Sequence, residues 1–385
     1  MGQAKQMMLE QDDCNLGYIK DTYVCSRHIN DYAVSNFIKS KGSKGNCFYC
    51  SDCRSIISLQ DLMEFIMEGI NKHYDDAADY MSYDSSEGGY LGKTIDRYDL
   101  INNLLDIDDY NLKEDITEAV SDSITWSERR QFYLDEKDLL EAQWELFKNV
   151  VKHKSRYLFS HTSIFKTEED SQKAYDIFKR ISKGIIPLGV INKIKPTTNL
   201  IRIRQHASNE KINKFNQIAS TPIEYAIYPN RMSPAGISMF YCAFEYETAF
   251  KETVDVNNKK KSNVTTAIFK NKRELKIIDL SKLNHISIFD KKKRKHYFLN
   301  LFLKAFVKDL SKNIEHDGKE HIEYVPTQIV TEFFRYPFSE SKKTPIDGII
   351  YLSSKNKGKK ACVLFFDAEE CLKELDLIGL ETRKI

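Results

Sequence analysis

Apolar residues recur at helical spacing through most of 58–183. Leu59, Leu62, Phe65, Ile66 and Ile70 make one amphipathic stripe, and Leu140, Trp144, Phe147 and Val151 make another. Shorter stripes fall at 100–105 and, behind acidic residues, at 116–120. The stretch 80–92 is polar and Gly-containing and reads as a break. From residue 196 the pattern changes to short apolar runs rich in β-favouring residues, at 200–204, 237–244, 264–269, 275–279, 349–352 and 361–366. Helices are expected after 248, over 297–314 and after Pro326. Short strands with interspersed helices predict an α+β fold. No G-x-G-x-x-G follows a strand, which argues against a dinucleotide-binding doubly wound sheet.

A chain of 385 residues is long for one core. Gly184, Pro187, Gly189 and Pro196 mark 184–195 as a connector, giving a small segment at 1–57, a helical domain at 58–183 and a mixed β-sheet domain at 196–385. The net charge of +2 hides an asymmetry: residues 1–140 carry 14 Lys+Arg against 27 Asp+Glu, and the excess of basic residues falls in the remainder. Such opposed fields favour docking of one half on the other, or an anionic substrate on the basic half. The lysines sit in loop runs such as 259–261 and 291–293, the pattern of solvated faces, so nucleic acid ranks low as a partner. No apolar run approaches the roughly 18–20 residues of a membrane span, and no secretory signal is legible, so the expected location is cytoplasmic.

Eight cysteines in such a compartment are thiols or metal ligands. Cys25-Ser-Arg-His28 and Cys47-Phe-Tyr-Cys50 are two ligand pairs of the x2 type, 18 residues apart, with helical spacing and then Gly42 and Gly45 between them. Zinc takes four thiolate or imidazole ligands in a tetrahedron, so Cys25, His28, Cys47 and Cys50 are the expected set for a structural zinc, with Cys14 and Cys53 as alternatives.

The stretch from Arg231 to Glu252, R-M-S-P-A-G-I-S-M-F-Y-C-A-F-E-Y-E-T-A-F-K-E, opens as a Pro/Gly turn, passes through an apolar run and closes on a helix start. That order brings Arg231, Tyr241 and Glu252 towards one place. A guanidinium, a phenol and a carboxylate on an apolar floor suit an anionic ligand that carries rings.

The same stretch resembles the signature of the RES domain, a toxin family. Further blocks agree in order: L-I-R-I-R at 200–204, V-P-T-Q at 325–328 and D-G-I-I-Y-L-S-S at 347–354. The resemblance covers about the last half of the chain. It implies a fold like that of ADP-ribosyltransferases and action on NAD as substrate. On it, Glu252 faces the anomeric carbon, Arg231 with Arg202 or Arg204 holds the pyrophosphate, and Tyr241 stacks on nicotinamide. Ser353 bonds the ribose or amide, and Gln328 is a substrate contact or a cap. Arg202 and Arg204 are expected to alternate on their strand, one facing away from the site. The acceptor of ADP-ribose is open between water, phosphate and a protein. A neutralising antitoxin, a protein trigger and self-association are open as well.

Cys25-x2-His28, the Cys47 knuckle, Gly88-Gly89-Tyr90-Leu91, Trp126 and V-V-K-H-K-S-R-Y-L-F at 150–159 resemble the HEPN-type N-terminal region fused to some RES domains. Arg156 and His161 have the R-x4-H spacing of HEPN ribonucleases, in which Arg steadies a phosphate and His moves a proton. A ribonuclease is therefore the alternative activity. Tyr157 stands where a polar residue usually follows that Arg.

Overall fold

Short polar side chains start the N-terminal helices. Asp31 accepts from the amides of Ala33 and Val34 at the start of α1 (Tyr32–Lys41), and Ser58 from that of Asp61 at α2 (Leu59–Ile70). Asp96 and Asp109 do the same for α3 (Arg97–Leu104) and α4 (Tyr110–Glu118). Each cap satisfies a first-turn amide that has no partner within its helix, worth about 1 kcal/mol. Two of the acidic residues in this region, Asp96 and Asp109, thus start helices. Asp115 also turns inward, accepting from Tyr49 Oη at 2.7 Å and pairing with Lys20 Nζ at 3.1 Å.

The computed structural model describes residues 15–86, 88–128, 136–159, 168–310, 312, 318–341, 343 and 345–385. It divides into two compact units: Met1–Glu136 with His285–Phe298, and Lys137–Asn284 with Leu299–Ile385. Among the described residues no helix is long and apolar enough to cross a membrane.

In the first unit β1 (Tyr23–Cys25), β2 (Ser43–Asn46) and β3 (Cys53–Ser58) form an antiparallel sheet in the order β1-β3-β2. Four short strands, β4 (Tyr74–Asp76), β5 (Tyr83–Asp84), β6 (Gly89–Tyr90) and β7 (Trp126–Glu128), make two small ladders, β4 with β7 and β5 with β6. The expected break at 80–92 is therefore in part a hairpin. The core gathers Val34, Ile38, Leu62, Ile66, Leu100, Ile116 and Trp126 with Ile288 and Phe289 of the returning segment. Gly69 makes room for Phe289: a Cβ there would stand 2.5 Å from the ring. Tyr32 Oη donates to Asp290 Oδ2 at 2.8 Å, and Lys291 and Arg294 both pair with Glu68. So the lysine run at 291–293, read from sequence as solvated, is partly committed to pairing.

In the second unit α5 (Glu136–His153) and α6 (Glu168–Ile185) precede an eight-stranded sheet. Its strands are β8 (Ile191–Ile194), β9 (Leu200–His206), β10 (Phe240–Ala243), β11 (Asn263–Asn271), β12 (Leu275–Asp279), β13 (Gly348–Leu352), β14 (Lys360–Leu364) and β15 (Leu375–Lys384). They run in the order β15-β11-β9-β10-β14-β13-β12-β8. β12 and β13 are parallel and the other pairings antiparallel. The α-helices between strands are α7 (Phe215–Ile218), α8 (Tyr246–Thr253), α9 (Tyr297–Leu310), α10 (Glu320–Glu323), α11 (Val325–Phe333), α12 (Ser339–Ser341) and α13 (Ala368–Glu374). Alternate strand residues serve two cores. Ile278, Ile349 and Val363 pack with Phe147, Ile181, Phe302, Phe306 and Val330, whereas Ile277, Ile350 and Leu364 pack with Leu200, Phe240 and Phe269. The architecture is α+β.

Three elements differ from the sequence reading. The expected connector contains β8, paired antiparallel with β12 from Leu275↔Ile194 to Ile278↔Ile191. Pro187 and Gly189 (φ 66°) fall in a tight turn at 186–189, whereas Gly184 lies within α6. β15 is a ten-residue edge strand pairing along all of β11, in which charged residues and Gly379 dilute the apolar signal. β10 begins three residues later than the apolar run, because Gly236 at φ 86° leaves 237–239 irregular.

Candidate functional site

β10 pairs with β14 over four positions but meets β9 at one, Ala243↔Ile201. Arg202 bridges the strands beyond that point. Its Nη1 donates to the Tyr241 carbonyl and its Nε to the Ile218 carbonyl, each at 2.8 Å, and the guanidinium lies 5.2 Å from the Phe240 ring centre. A cleft of about 910 Å³ borders this opening, and Arg202, Arg231, Tyr241 and Glu252 are all in its wall.

The Arg231 loop is tied down from several sides. Asn230 and Ser233 exchange backbone hydrogen bonds at 2.8 and 3.3 Å. Gln328 Nε2, on α11, donates to the carbonyls of Asn230 (2.8 Å) and Ser233 (3.3 Å), and Thr327 Oγ1 donates to the carbonyl of Arg231. Arg231 Nη1 donates to the Lys312 carbonyl at 2.8 Å, and its guanidinium lies 5.8 Å from the Tyr324 ring centre. Gln328 is buried and outside the cleft wall, so here it shapes the loop. Tyr241 Oη shares a 2.9 Å hydrogen bond with Ser233 Oγ, and burial pushes its phenol up to about 12, keeping it neutral.

Two residues after β10 the chain enters α8, whose last turn carries Glu252. Ser353 Oγ donates to Glu252 Oε1 and accepts from the amides of Lys355 (3.2 Å) and Asn356 (2.9 Å). Ser353 is buried, outside the cleft wall, and orients the carboxylate; its neighbour Ser354 lines the cleft. Burial and then the charge of Glu252 raise the Tyr351 phenol well above its ordinary value.

The expectation that Arg202 and Arg204 point oppositely is corrected. Residues two apart on a strand share a face, and both arginines reach the same segment, Arg202 at Ile218 and Arg204 Nη1 at the Gln217 carbonyl (2.7 Å). They differ in place along the strand. Arg204 is exposed, pairs with Glu210 at 2.6 Å and lies outside the cleft wall. Sequence reasoning passed over Tyr225, Tyr228, His321, Tyr324, Tyr351 and Lys355, all in that wall. Tyr351 and Tyr324 had a signal, since they fall within or beside the blocks at 347–354 and 325–328.

In the first unit the donor atoms of Cys25, His28, Cys47 and Cys50 lie within 4.8 Å of one another. Cys25 Sγ and Cys50 Sγ are 3.8 Å apart, and Cys47 Sγ is 3.6 Å from His28 Nε2. Bond lengths of about 2.3 Å to sulfur and about 2.0–2.1 Å to nitrogen around a tetrahedral zinc require edges of about 3.8 and about 3.6 Å. Burial alone would raise the Cys47 thiol, but backbone amides of Cys50, Cys25 and Tyr49 outweigh it and lower its pKa, favouring the thiolate a metal needs. The cluster is consistent with a zinc-like structural site. Cys14 and the side chain of Cys53 lie outside the described residues. So does His161, whereas its expected partner Arg156 is half-buried.

Residues 200–378 match the family model of the RES domain. The chain carries a RES domain. That match runs from the first residue of β9 into β15 and contains every residue of the cleft wall. Residues 40–164 match HEPN/RES N-terminal domain 1, which takes in Cys47 and Cys50 but begins after Cys25 and His28. A search of curated proteins gives no match. Membership of these toxin-associated families is consistent with a toxin-like enzymatic role.

Proposed function

We propose that the chain consumes NAD by cleaving the nicotinamide–ribose bond. The observation that carries this reading is the placing of Arg231, Tyr241 and Glu252 in the wall of one cleft. Cleavage returns the bonding pair to the nicotinamide nitrogen, which leaves neutral, and spreads positive charge over the anomeric carbon and ring oxygen. The Glu252 carboxylate, held by Ser353, stabilises that charge. Arg231 grips the pyrophosphate, and the neutral Tyr241 ring offers a face to nicotinamide. Arg202 spends two of its N–H groups on carbonyls, so its first role is to hold the cleft open beside Tyr241.

The likeness to ADP-ribosyltransferases belongs to the same reading. Water as acceptor makes the enzyme a glycohydrolase, inorganic phosphate a phosphorylase, and a protein nucleophile a transferase. Control by the N-terminal region, or by a separate antitoxin, fits a toxin that must be silenced in its own cytoplasm. The zinc site is structural in this proposal and takes no part in the chemistry.

Purified protein incubated with NAD, with and without phosphate and with cell extract, is expected to release free nicotinamide. An NAD pool left intact under all these conditions would sink the reading.

A further inference from the structure

Two rings in the cleft wall have no place in the chemistry above. Tyr225 and Tyr228 are 73% and 77% exposed, although both line the cleft. Among the described residues neither phenol has a hydrogen-bond partner and neither ring stacks on another. Tyr225 ends a short 3-10 turn, Ile223–Tyr225, and Tyr228 follows it; they stand six and three residues before Arg231. Three residues of chain span at most about 11 Å, so the backbones of Tyr228 and Arg231 lie within that reach, and both residues line the cleft. The loop between is anchored at Ala226, whose carbonyl accepts from Gly236 N at 2.7 Å, and again at Asn230. A tied cation with two bare aromatic faces beside it is the arrangement that holds a phosphate and the base attached to it.

We propose that Tyr225 and Tyr228 are the stacking platform for the second base of the dinucleotide, the adenine. The inference rests on the NAD reading and adds to it the residues that discriminate a dinucleotide from a mononucleotide. Arg231 takes the pyrophosphate, Glu252 and Tyr241 the nicotinamide riboside on the inner side, and the two tyrosines the adenosine at the mouth. Stacking needs a flat π-face and no hydroxyl, so a ring without the phenol oxygen serves as well. An aliphatic or charged side chain does not.

The test compares the parent with Tyr225→Ala, Tyr228→Ala, the double alanine variant and the double Phe variant. Their high exposure leaves folding little affected, which the melting temperature checks. Binding of ADP-ribose is measured by calorimetry, and turnover is followed with NAD and with nicotinamide mononucleotide, which has no second base. Each alanine is expected to weaken ADP-ribose binding and raise KM for NAD about five- to a hundred-fold, with kcat little moved. The loss falls on the dinucleotide, and Phe restores most of it. Equal affinity for ADP-ribose in parent and double alanine variant overturns the proposal and leaves the rings as a protein-facing surface. Equal losses on nicotinamide mononucleotide overturn it too, because the rings would then act on the inner half of the site. Tyrosine-dependent binding of ADP-ribose without any NAD cleavage would leave the platform standing and remove the proposed reaction.

Discussion

Glu252 carries a single negative charge that the proposed reaction needs at one carbon. Glu252→Gln keeps the shape and the hydrogen bond from Ser353 but removes that charge, so nicotinamide release is expected to fall by about a hundredfold or more with an unchanged melting temperature. Activity equal to the parent's would move the chemistry to another residue. Ser353→Ala acts differently. It strips a donor from the carboxylate and leaves the amides of Lys355 and Asn356 without their acceptor, in a buried place. A partial loss of kcat together with about 1–3 kcal/mol of stability is expected, measured by kinetics and urea unfolding of the same preparation. Arg231, Tyr241 and Glu252 were legible because strand and helix periods bring them together from one short stretch. The work of Ser353, Gln328 and Arg202 was not, since the atoms they meet belong to segments tens of residues away.

Helix pairs in the second unit are held by a few polar clamps over an aromatic core. Asp309, near the end of α9, accepts from Trp144 Nε1 at 2.9 Å and pairs with Lys148 Nζ at 2.8 Å on α5. Burial alone would raise this carboxyl, but the bonds from Lys148 and Trp144 outweigh it and hold its pKa below the ordinary value. The unfolded chain therefore takes up this proton at a higher pH than the native one. The clamp contributes fully at neutral pH and is lost as pH falls from about 4 through the lowered native value. Asp309→Asn is expected to cost about 1 kcal/mol at pH 7, and its deficit against the parent should shrink towards pH 3. A deficit constant across that range would show that the charge does nothing. Helix existence was readable here from the stripe of Trp144, Phe147 and Val151, but its packing partner was not. An apolar stripe states that a face is buried without stating against what.

For the molecule as a whole, the chain returns to its first unit after leaving it. Ile288 and Phe289 are 3% and 2% exposed in a core otherwise built from residues before 130. A fragment of residues 196–385 therefore bares these two side chains, and it also lacks α5 and α6, which cover Phe302 and Phe306. It is expected to aggregate, or to bind an apolar dye, where the full chain does not. A soluble, monomeric fragment that binds no dye would contradict the packing described. The Cys/His cluster gives a second test. One equivalent of zinc per chain is expected by elemental analysis, and Cys47→Ser or a strong chelator should abolish it and lower the first unit's unfolding transition.

The Cys/His cluster, the α+β class and the turn–strand–helix carrying Arg231, Tyr241 and Glu252 could all be read from the chain, because each rests on local spacing. Ligand pairs, apolar periods and turn residues are local properties, and local geometry repeats from protein to protein. The edge strands β8 and β15 depended on neighbours far along the chain, as did the return of 285–298 to the first core. So did the orientation of Glu252 by a serine from another strand end. A side chain's donors find whichever carbonyl or carboxylate the folded backbone brings within about 3 Å, and no spacing rule specifies that partner in advance.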